Sequence, residues 1–181
     1  ANREQELVNG NIDYYVGTYS ITDARKEQID FAGPYFITGQ GLLVAKDNSD
    51  INGPDDLAGK IVCSVTGSTP LQRIRDEYSP GDTVEYDTYS QCIEQLLAGS
   101  VDAITTDEAI LAGYVAERPD ELKIAGEPFS EERYGVGLAK GDTALKDHIN
   151  ALFTDGGDIW QALFDEHLAP SGISGEQPAV D

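Results

Sequence analysis

Basic residues are scarce in this chain: 12 Lys and Arg stand against 33 Asp and Glu in 181 residues, a formal net charge of −21. Nucleic-acid binding rests on clustered Lys and Arg that displace counterions from phosphates, so that class is excluded, and an anionic membrane surface would repel the chain. No apolar run approaches the roughly 20 residues of a membrane-spanning helix. No signal peptide opens the sequence, and methionine is absent altogether, position 1 included, so we expect that something upstream has been removed. Histidine occurs twice (His148 and His167) and cysteine twice (Cys63 and Cys92), with no Cys-x-x-Cys pair. Zinc sites need a denser donor set. The two cysteines are either a disulfide or two buried thiols. What remains is ordinary globular material, 40% apolar and 25% charged, enough for one domain or two small lobes.

One pattern occurs twice. "EQELVNGNIDYYV" (4–16) and "EQLLAGSVDAIT" (94–105) each carry Glu-Gln, Leu at helical spacing, a Gly, then Ile or Val and Asp before an apolar run. Each reads as a helix stopped at Gly10 or Gly99, then a parallel-type strand with hydroxyl residues at its C-terminal end. Two such units predict two similar α/β lobes. From residue 45 to 126 strands and helices alternate: a short helix at Pro54–Leu57, "IVCSV", a helix opening in "TGSTPLQRIRDEY", "TVEYDTY", the Cys92 helix, "AITT" and "DEAILAGYVAERP". The flanks, 1–40 and 131–181, then form the other lobe together, with "YGVGLAKG" as a strand and helices at Ala144–Phe153 and Ile159–His167. The tail "PSGISGEQPAVD" has the composition of a frayed end. Extended stretches at 41–46 and 123–130 are expected as two crossings between lobes, which is the layout of a hinge.

In open α/β sheets ligands gather at the carboxyl ends of strands. One lobe presents Thr18, Ser20 and Arg25 there. The other presents Thr66, Gly67, Ser68 and Thr69, with Pro70 opening a helix, and then Thr105, Thr106 and Asp107. Thr69 as N-cap before Pro70 marks a helix start whose N–H groups and dipole suit an anion. A guanidinium and a helix terminus fit a carboxylate, and Asp107 fits an ammonium. Together they describe an α-amino acid. Blander roles compete: Asp107 as N-cap of the following helix, and Arg73 and Arg75 as surface residues. "NSDINGPDDLAG" fails as a calcium loop because Gly59 stands where the last ligand belongs. "GVG" at 135–137 lacks the third glycine of a dinucleotide site. His148 and His167 read as surface, Trp160 and Phe164 as core.

"GTYSITDARKEQIDFAGPYF", "DLAGKIVCSVTGSTPLQR" and "GSVDAITTDEAILAGY" resemble the bacterial extracellular solute-binding proteins for polar amino acids, and in particular the glutamate-binding proteins of actinobacterial ABC importers. The resemblance runs from Asn2 to about His167. It implies a type II periplasmic-binding-protein fold: two α/β lobes closing over the ligand, the first lobe here lacking its opening strand, helix and strand. It implies that Arg25 grips the α-carboxylate with help from Ser68 and Thr69. Asp107 holds the α-ammonium, with the Thr18 carbonyl and the Ser20 hydroxyl; many relatives carry glycine at the Thr18 position. It also implies an extracytoplasmic lipoprotein, a Cys63–Cys92 disulfide, no cofactor, a monomer and a permease partner. Glutamate is the expected ligand, ahead of glutamine or aspartate, with Thr105, Thr106 and Arg73 as candidates to read its side chain. A dehydratase on the same scaffold would need a general acid besides Asp107, and no His, Cys or Ser-base arrangement joins that residue. A ligand-sensing domain of a receptor shares the fold.

Overall fold

The computed structural model describes residues 2–181. In chain order its elements are α1 (Arg3–Val8), β1 (Tyr14–Tyr15), α2 (Asp23–Lys26), β2 (Ile29–Thr38), β3 (Gln40–Ala45), β4 (Ile61–Val65), α3 (Thr69–Glu77), β5 (Asp82–Tyr86), α4 (Tyr89–Leu97), β6 (Ala103–Asp107), α5 (Glu108–Glu117), β7 (Leu122–Ala125), β8 (Glu132–Ala139), α6 (Thr143–Asp155) and α7 (Gly157–His167). They fall into two compact units: a middle unit, Gly39–Glu131, and a flanking unit, Asn2–Thr38 with Glu132–Asp181.

The middle unit is a five-stranded sheet in the order β5-β4-β6-β3-β7, with β4 parallel to β5 and β6, and β3 antiparallel to β6 and β7. Side chains alternate across it with the strand period of two. Leu43, Cys63 and Ile104 pack on one face with Ile93 and Leu96 of α4 and Leu111 of α5. Leu42, Val44, Val62 and Ala103 pack on the other with Ile74 of α3. Both faces being covered, β3 is a continuous apolar run, "GLLV", rather than an alternating one. Of residues 41–46, expected as extended, 41–45 form most of β3, with 41–43 paired to β6 and 42–45 to β7. Asp102 ties the start of β6 to β4, accepting from the Ile61 N–H at 2.7 Å while its own N–H donates to the Ile61 carbonyl at 2.8 Å. Cys63 on β4 and Cys92 on α4 form a disulfide, Cα to Cα 5.7 Å.

The flanking unit carries a three-stranded antiparallel sheet, β1-β8-β2. The expected parallel-type strand after Asp13 is thus corrected: β1 has two residues and runs antiparallel to β8, the only strand that hydrogen-bonds it among the described residues. β2 bends at a bulge between Ala32 and Phe36, which contains the cis Gly33–Pro34 bond. One face of the sheet buries Leu7, Tyr19, Ile29 and Phe31; the other packs Ala32, Val136 and Leu138 against Leu145, Ile149 and Phe153 of α6. Phe164 of α7 is buried and stacks on Trp160, which is half-buried and donates its indole N–H to the Tyr35 carbonyl. The tail is not frayed. The Asp181 N–H donates to the Gly33 carbonyl, Arg133 pairs with the Asp181 carboxylate at 2.7 Å, and the Gln177 amide donates to the Phe153 carbonyl.

Candidate functional site

In the flanking unit the chain runs along β8, leaves it after Tyr15, and rejoins it at Tyr19–Ile21. There the Gly135 N–H donates to the Tyr19 carbonyl and the Ile21 N–H to the Arg133 carbonyl. The detour turns on Thr18, at φ +45° the one non-glycine residue with a positive φ among the described residues. The glycines of "GVG" in β8 make the return possible. A Cβ on Gly137 would lie 2.7 Å from Tyr19 Cε1, and one on Gly135 2.8 Å from Ile21 Cδ1. Those glycines seat the Tyr19 ring and the segment carrying Ser20, which is 3% exposed.

Arg25 sits on α2, a single turn whose N-cap, Thr22, accepts the Arg25 N–H. Its guanidinium donates from Nη1 to the Ser20 carbonyl at 2.7 Å and from Nε to Glu4 Oε1 at 3.0 Å, and lies over the Tyr19 ring at 4.9 Å. Arg3 lies over the same ring at 4.3 Å. Burial lowers the Arg25 pKa, as does neighbouring Arg3, while Glu4 opposes both; a guanidinium starts so high that it stays charged. Burial pushes the Glu4 carboxyl up, but its own backbone N–H, the Tyr19 phenol and the two guanidiniums outweigh that and hold it below the usual carboxylate range. Burial, with Glu4 beside it, raises Tyr19, which stays neutral.

In the middle unit the loop from β4 into α3 bears Ser68. The expected cap is one residue off: Ser68, extended at ψ 149°, is the N-cap and its hydroxyl accepts the Leu71 N–H at 3.2 Å, so Thr69 is already the first helical residue. A Ser or Thr hydroxyl caps by reaching the N–H two or three residues on, and here Ser68 has that geometry. Ser64, beneath it, donates to the Thr105 carbonyl at 2.8 Å and lies 3.2 Å from the Ser68 hydroxyl. β6 delivers Thr106 and Asp107, 1% and 4% exposed. Asp107 occupies the N-cap position of α5, but its side chain makes no capping hydrogen bond. Thr105, considered above as a side-chain reader, has its hydroxyl committed inside the sheet: it donates to the Gly41 carbonyl and accepts from the Gln40 amide. Arg73 pairs with Glu77 one turn along α3 at 3.0 Å, and Arg75 with Glu85 on β5 at 3.6 Å.

Two residues here escaped the sequence reading. Gln40, fully buried at the start of β3, donates to the Pro70 carbonyl at 3.0 Å and to Thr105 Oγ1 at 2.8 Å, latching the first turn of α3 to the sheet. Tyr89, first residue of α4, packs against the core of the middle unit; burial raises its pKa, the Asp107 charge adds to that, and the hydroxyls of Thr106, Ser64 and Ser68 oppose it. An aromatic following the Thr88 cap was the available signal for Tyr89. Gln40 left none, because a glutamine before an apolar strand looks like any solvated residue.

Residues 1–156 match the bacterial extracellular solute-binding proteins, family 3. The glutamate-binding protein GluB of Corynebacterium efficiens is 44% identical over 178 residues, 93% of this chain and 60% of that protein. This chain therefore spans less than two thirds of the length of the GluB relatives it matches. Among solved structures, an ancestral arginine-binding protein bound to arginine superposes with a TM-score of 0.85 at 33% identity, over 92% of this chain and 76% of that one. The cysteine-binding protein of Campylobacter jejuni superposes with a TM-score of 0.87 at 28% identity, over 94% and 69%.

Proposed function

This chain belongs to the bacterial extracellular solute-binding proteins, family 3, and from that premise we propose that it acts as a non-catalytic amino-acid receptor that grips the ligand's α-carboxylate and α-ammonium. The ligand's α-carboxylate binds Arg25, with Ser68 and Thr69 at the mouth of α3. Its α-ammonium binds Asp107, aided by the Thr18 carbonyl and the Ser20 hydroxyl, with Thr106 a reader of the ligand's side chain. Glutamate is the ligand of choice, a reading supported by GluB, and an ABC importer permease is the partner that takes it onward. An extracytoplasmic setting agrees with the Cys63–Cys92 disulfide, since such bonds persist in oxidising compartments.

The observation that carries this reading is Arg25: in a chain of net charge −21, its side chain is only 11% exposed and its guanidinium is held by a carboxylate and a carbonyl. Micromolar affinity corresponds to about −8 kcal/mol, within reach of two desolvated charge pairs when closure excludes water. Calorimetric titration of the chain with each of the twenty amino acids is expected to give heat with L-glutamate and return it chemically unchanged. Arg25→Ala is expected to abolish that heat. Undiminished affinity in that variant would remove Arg25 from the site.

A further inference from the structure

The Arg25 guanidinium is one of three charged groups gathered on a single aromatic ring. Glu4 Oε1 lies 3.0 Å from Arg25 Nε and 3.9 Å from Arg3 Nε, and both guanidiniums lie over Tyr19. The side chains of Arg3, Glu4 and Arg25 are 20%, 29% and 11% exposed. Two guanidiniums against one carboxylate leave this cluster with one excess positive charge, in a chain that is otherwise strongly acidic. Arginine's planar fork gains directional strength only when its plane is held. Here the plane is held at two points on its rim: Nε by Glu4, and Nη1 by the Ser20 carbonyl at 2.7 Å. The ring of Tyr19, seated on the β8 glycines, supports it from one side.

We infer that Glu4 is a positioning residue for Arg25: by accepting from Nε it fixes the guanidinium plane that receives the ligand's carboxylate, while Arg3 keeps the cluster one negative charge short. The inference rests on the proposed carboxylate role of Arg25. Glu4 acts on Arg25 as an acceptor first and a charge second. A carboxylate that acted only through its charge would weaken anion binding, and removing it would tighten binding. A carboxylate that acts by position does the opposite, and an amide oxygen can replace it.

The test combines a spectroscopic and a binding readout on the full chain labelled with 15N at arginine. The Nε–Hε resonance of Arg25, assigned by its disappearance in Arg25→Lys, is expected to exchange slowly in the wild type. Glu4→Ala should erase that protection and weaken L-glutamate binding by about 10- to 100-fold, as for a lost hydrogen bond to a charged group. Glu4→Gln, which keeps an acceptor oxygen, should restore the resonance and bring affinity back to within about threefold. Thermal unfolding of both variants separates positioning from misfolding. A protected Nε resonance in Glu4→Ala overturns the inference, as does unchanged or tighter glutamate binding once protection is lost. If the wild type binds no glutamate, the receptor reading falls, and the resonance alone still decides whether Glu4 holds Arg25.

Discussion

Thr18 holds a backbone conformation that a β-branched side chain resists, φ +45°, at the turn that sets the Ser20 carbonyl against Arg25. A left-handed residue costs roughly 1–2 kcal/mol, whereas glycine there would add roughly 0.5–1 kcal/mol of unfolded-chain entropy. Strain relief outweighs the entropy. Thr18→Gly is therefore expected to raise stability by up to about 1 kcal/mol in urea unfolding; a loss of that size would mean the Thr18 side chain contributes more than its strain costs.

Among the elements, α3 depends most on contacts that local sequence only partly announces. Its N-terminus is closed by the Ser68 hydroxyl and held from below by Gln40, which reaches from β3 to the Pro70 carbonyl. Ser68→Ala should cost about 1 kcal/mol and Ser68→Gly only a few tenths. Unfolding midpoints of the two variants would distinguish this cap from one at Thr69. A Thr69→Ala variant more damaging than Ser68→Ala would return the cap to Thr69.

At the scale of the whole molecule there are two units, each with its own buried clusters, and one disulfide that lies entirely within the middle unit. The bond spans 29 positions, a loop whose closure removes about 3–4 kcal/mol of unfolded-state freedom. Reduction should therefore lower the melting transition of the middle unit by about 10 °C or more and leave the flanking unit's transition in place. Calorimetric scans with and without a reducing agent measure this. A uniform shift of both transitions would show that the units do not melt separately.

The sequence alone carried every signal that acts over a few residues. Gly10 and Gly99 stop helices at positive φ, Pro119 follows the end of α5, and "IVCSV" and "AITT" are strands because apolar runs bounded by turns bury on both faces. Arg25, Ser68 and Asp107 were visible as chemically unusual residues at strand ends. Tertiary structure decided what depends on partners distant in the chain. "GLLV" reads as an extended run from its own residues, but its place between β6 and β7 comes from partners far along the chain. The tail is ordered by Gly33, Phe153 and Arg133, none of them near it in sequence. Glu4 and Arg25 are 21 positions apart and Gln40 and Thr105 are 65. No period or cap links such pairs, because a hydrogen bond between elements depends on how backbones pack, and packing is a property of the folded chain.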